Sequence, residues 1–96
     1  MSYAREDTEN RCGVRDFAKA MQDKLYDKTR AGRGGWWNPA ECSVEDLLML
    51  LANHIKKGDM VDIGNFAMMI WNRQRTESPT DQFVADRAGL LREKVK

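Results

Sequence analysis

A chain of 96 residues makes one domain, and a domain of this size buries only about 60–65% of the surface that its unfolded chain exposes. Hydrophobic content of 42% with 32% charged residues is ordinary for a globular fold and argues against wholesale disorder. A net charge of +1 supplies no global basic field, and Cys12 and Cys42 lack CxxC spacing, so a nucleic-acid-binding protein, a disulfide framework and a zinc site are all unexpected.

The charge is nevertheless segregated: residues 1–10 carry −2, 11–33 carry +4, 34–72 carry −3 and 73–96 carry +2. Complementary packing of these segments within the chain is the simplest use for such a pattern. No apolar run reaches the length of a membrane span, and the opening residues are polar rather than signal-like. The expected location is the reducing cytoplasm.

Residues 1–12 show no apolar period and are expected to be loose. Val14, Phe17, Ala18, Met21 and Leu25 recur at helical spacing, which predicts a first helix over 14–29. Gly32, Gly34, Gly35 and Pro39 then impose a loop that must accommodate Trp36 and Trp37. Ser43 with Asp46 three residues on is a capping-box signature, and it opens a second helix over 44–57 that is rich in leucine. Lys56 and Lys57 suit the negative end of its dipole, and Gly58 is a natural stop. Asp59 caps a third helix over 59–73, carried by Val61, Ile63, Phe66, Ala67, Met69 and Ile70, so the second and third helices form a tight hairpin. Ser78-Pro79-Thr80-Asp81 supplies a cap, a proline at N1 and an acid at N3 for a fourth helix over 79–94, weakened by Gly89. The fold class is therefore all-α, a single helical domain over 1–96 with four helices. The third helix is apolar around most of its girth, which predicts completion of the core by a homodimer.

Asp59, Asp62 and Asn65 follow at i, i+3, i+6 and share one edge of the third helix. Two acids at a helix start are explained by capping and the dipole. An amide one turn deeper favours nothing locally, so Asn65 is expected to hydrogen-bond across a helix contact. Gly64 beside it costs about 1 kcal/mol in a helix interior, which suggests close approach by a neighbour. His54, the single histidine, has no nucleophile arranged with it and reads as an interfacial residue. Lys28, Arg30 and Arg33 precede Trp36 and Trp37, a grouping that can stack on a flat ligand while cations meet its negative charge. Plugging the end of the bundle is the competing use for at least one indole.

The loop Arg33-Gly34-Gly35-Trp36, the capped leucine helix and Asp59-x-x-Asp62-x-x-Asn65-Phe66-Ala67-Met68-Met69-Ile70 resemble small phage-encoded MazG-like proteins over residues 17–73. That family of all-α nucleoside triphosphate pyrophosphohydrolases gathers magnesium with Glu-Glu-x-x-Glu on one helix and Glu-x-x-Asp on the next. Asp59 and Asp62 match the second motif. Alignment of the leucine helix, however, places Asn53, His54 and Lys57 at the three glutamate positions of the first, and a lysine there opposes a bound cation.

The resemblance thus implies a MazG-like domain that has lost its metal site and works by binding a host protein or a nucleotide. The expected function is a non-catalytic accessory protein of phage type that binds and inhibits a host factor or defence system. The expected contact residues are Lys28, Arg30, Arg33, Trp36, Trp37, His54 and Asn65, with no metal or other cofactor. The alternative is a divergent pyrophosphohydrolase that holds magnesium through Asp59 and Asp62 in a dimer, or a nucleotide-binding protein.

Overall fold

The computed structural model describes residues 3–77, which form three α-helices and no strand: α1 (Tyr3–Arg30), α2 (Val44–Lys57) and α3 (Met60–Glu77). The all-α class holds. The helix expected over 79–94 lies outside the described residues.

α2 has the bounds that its punctuation predicts. Ser43 sits in an extended conformation and its Oγ accepts from the Asp46 amide at 3.0 Å, while Gly58 takes the left-handed φ of 76° and its amide closes the last turn. That φ strains any residue with a Cβ, so the hairpin turn depends on glycine at 58. Asp59 then repeats the device, its Oδ1 accepting from the Asp62 amide at 3.1 Å. α3 continues to Glu77, past the expected end at 73.

α1 requires a correction. It begins at Tyr3, so the segment expected to be loose is helical. Its outer part buries nothing and instead carries ion pairs one turn apart, Arg5 with Glu9 and Arg11 with Asp7, both at 3.0 Å. Such pairs support a polar helix that has no apolar period to betray it.

α3 lies between the other two helices and packs on both, whereas the backbones of α1 and α2 stay apart. The buried core is small: Leu47 from α2 with Phe66, Met69 and Ile70 from α3, flanked by Leu25, Trp36, Cys42, Leu51 and Met68. Gly64 is explained on the α1 side, where a Cβ would stand 2.6 Å from the Phe17 ring. The predicted close neighbour is therefore an aromatic side chain, and α1 approaches α3 more nearly than any larger residue would permit.

Candidate functional site

The loop over 31–43 folds back over the core and is held by a residue from α3. Arg73 is buried, and its Nη1 donates to the Trp36 carbonyl at 2.8 Å and to the Cys42 carbonyl at 2.7 Å. One guanidinium thus ties both ends of the Trp-containing segment to the third helix. Asn38 adds a local turn, its side chain accepting from the Ala40 amide at 3.0 Å. Beneath this loop opens a cleft of about 380 Å³. Its floor is apolar, formed by Leu25, Leu47, Phe66 and Met69, and its rim carries Lys28, Arg33 and the two tryptophans. Trp36 is half-buried against the core, and Trp37 is 65% exposed. Gly35 takes a φ of 86°, which strains any residue with a Cβ, and the Glu41 carboxylate rests against it.

Of the residues singled out from sequence, Lys28, Arg33, Trp36 and Trp37 come together around this cleft. Arg30 does not: it turns back along α1, donating to the Tyr26 hydroxyl at 2.6 Å with its guanidinium 5.4 Å from that ring. His54 and Asn65 lie under other contacts. The His54 ring stands 4.8 Å from that of Phe66, and its Nδ1 donates to the Leu50 carbonyl at 2.7 Å. Asn65, only 1% exposed, donates from Nδ2 to the Met21 carbonyl of α1 at 3.3 Å. This is the helix-to-helix bond expected of it. Its Oδ1 finds no donor among the described residues.

Asp59 and Asp62 converge, but on lysines. Lys24 Nζ lies 2.7 Å from Asp59 and 2.9 Å from Asp62, and Lys28 Nζ lies 3.0 Å from the same Asp62 oxygen. His54 Nε2 stands 4.0 Å from the other one. Hydrogen bonds donated to Asp59 and Asp62 raise the Lys24 ammonium above the usual lysine range. The bond from Lys24, helped by the Asp62 amide, holds the Asp59 carboxyl below its ordinary value. Burial pushes Asp62 upward, yet the bonds from Lys24 and Lys28 outweigh it and leave that carboxyl low as well. Magnesium asks for about six oxygens at roughly 2.0–2.1 Å. Two carboxylates already satisfied by two ammoniums do not fit it, and no group of three His, Cys, Asp or Glu suited to a metal occurs among the described residues.

Sequence reasoning missed Lys24 and Arg73. Lys24 carries a usable signal, since it falls with Lys28 on the Phe17, Met21 and Leu25 stripe that faces α3, where cations call for acids. Arg73 gives none, because its acceptors are backbone carbonyls 31 and 37 residues away. No described helix is long and apolar enough to cross a membrane. No protein-family model matches the chain, nor does any curated protein or solved structure.

Proposed function

We propose that this chain is a non-catalytic binding protein, acting as a homodimer, that takes an anchor side chain of a partner protein into the cleft under Trp36 and Trp37. The observation that carries this reading is the cleft itself. A loop and two helices bring an apolar floor, two indoles, Lys28 and Arg33 around a volume suited to one or two side chains. An aromatic or aliphatic anchor fits the floor and the indoles, with Arg33 on the rim to meet one carboxylate beside it. A triphosphate fits less well, because Lys28 is already committed to Asp62 and Glu41 adds a negative charge at the loop. The phage character implied by the resemblance makes a host factor or defence protein the partner of first choice.

The pyrophosphohydrolase alternative needs Asp59 and Asp62 to face a metal, and their pairing with Lys24 supports the binding reading instead. The test compares the wild type with Arg33→Glu combined with Trp37→Ala, both exposed positions whose change leaves helicity intact. Capture of a defined host protein by the wild type, lost in the double variant, is the expected result. Equal capture by both overturns the cleft assignment. Release of a nucleoside monophosphate from a triphosphate with magnesium, abolished in Asp62→Ala, overturns the non-catalytic reading.

A further inference from the structure

α2 has six large apolar residues at 47–51 and 55, yet only Leu47 is buried. Leu48, Met49 and Ile55 are 49, 65 and 57% exposed. Together with Glu45, Ala52 and Lys56, all exposed, they fall at i, i+3, i+4, i+7, i+10 and i+11. That spacing is one continuous stripe of a helix. It is turned away from the edge by which α2 meets α3, where Leu47, Leu51 and His54 reach Phe66 and Ile70. On α3, Met60, Ala67 and Trp71 form a corresponding stripe, with Met60 and Trp71 62 and 54% exposed. In an antiparallel hairpin, stripes turned in the same sense from the contact edge lie on the same side. The hairpin therefore has two faces, one covered by the tryptophan loop and one that is apolar and bare of other described residues.

We infer that this bare face is the seat of a second copy of the same chain, with α2 lying antiparallel to its counterpart across a two-fold axis between Met49 and Ala52. The inference rests on the homodimer reading and adds its interface. What selects a second copy is charge. The stripe starts on the acid Glu45 and ends on the base Lys56, so reversing one copy against another sets each acid opposite a base at both ends. The helix dipoles oppose at the same time. Ala52 near the axis lets the two backbones approach, and Leu48, Met49 and Ile55 supply the apolar centre. A stable interface takes about 800 Å² from each partner, more than one stripe offers, and Met60 and Trp71 on the same side widen it.

The test uses the full chain. Light scattering is expected to give the mass of two chains for the wild type and of one chain for Met49→Glu, with equal helicity by circular dichroism. Glu45→Lys and Lys56→Glu each set like charges together and are expected to weaken the dimer by about tenfold. An equimolar mixture of those two variants restores it, because each then meets its complement. A wild type with the mass of one chain overturns both the homodimer and its interface. A dimer indifferent to Met49→Glu, or a mixture no tighter than either variant alone, overturns this interface and leaves the homodimer standing.

Discussion

The two flanks of α3 are held by different physics. Toward α2 and the tryptophan loop the contact is apolar, built on Leu47, Phe66, Met69 and Ile70 and closed by the Arg73 bonds. Toward α1 polar contacts are added, with Lys24 and Lys28 on Asp59 and Asp62 and the Asn65 bond to Met21, beside the apolar contacts of Phe17 and Met21 over Gly64 and of Leu25 on the core. α1 has no buried residue at all. The cleft lies between these regimes, with its floor in the first and Lys28 in the second. Docking of α1 therefore governs one wall of the cleft, and the core governs the other.

The largest expected effect lies on the apolar side. Arg73→Met keeps much of the buried bulk but leaves the Trp36 and Cys42 carbonyls without their donor, at a cost of about 2–4 kcal/mol. Urea unfolding followed by circular dichroism reads that loss. Indole emission in the absence of urea is expected to shift to the red as the loop lifts and Trp36 meets water. An unshifted spectrum would mean that packing of Trp36 on the core, rather than the guanidinium, holds the loop.

A smaller effect, confined to the other flank, comes from pH. Asp59 and Asp62 titrate lower in the fold than in the unfolded chain, so their contribution is present above about pH 4 and is lost as pH falls through the depressed values. Lys24 titrates higher in the fold. Its contribution is complete below the unfolded value of about 10.4 and is lost as pH rises through the raised one. Stability is thus expected to be flat across neutral pH and to fall at both extremes. Asp62→Asn should flatten the acid limb, whereas Arg73→Met should lower the whole curve without changing its shape. If the acid limb survives in Asp59→Asn combined with Asp62→Asn, other carboxylates produce it and the lysine seam is not what binds α1.

The same division decides how much was legible in the sequence. α2 was readable to the residue because Ser43 and Gly58 punctuate it and local chemistry fixes both ends. The grouping of Lys28, Arg33, Trp36 and Trp37 was readable because the residues are close in sequence and a glycine-rich loop can gather them. The outer part of α1 was not, since one-turn ion pairs leave no hydrophobic period. Lys24 with Asp59 and Arg73 with the loop carbonyls were also hidden: each joins groups 31 or more residues apart, and a pairing at that separation is decided only when the helices dock. Asp59 and Asp62 share an edge that was legible from their spacing, but that this edge meets the ammoniums of Lys24 and Lys28 was not.

The smallest effect is the most informative about α1. Asn65 is buried, makes one long bond at 3.3 Å through Nδ2, and leaves Oδ1 without a donor among the described residues. Leucine has the same number of side-chain heavy atoms and the same branching, so it fits the space, and the Met21 carbonyl keeps its place in the α1 backbone ladder. The substitution gives up one weak hydrogen bond and removes one unpaired buried oxygen, whose desolvation costs about 1–3 kcal/mol. Asn65→Leu is therefore expected to stabilise the fold by about 1 kcal/mol. Asn65→Ala, which opens a void between α1 and α3, is expected to destabilise it by about 1–2 kcal/mol. Thermal unfolding of the two variants separates packing from polarity. Were leucine as harmful as alanine, the amide would have to be satisfied by a donor from water or a bound partner, and the α1 seam would join the cleft as part of the binding surface.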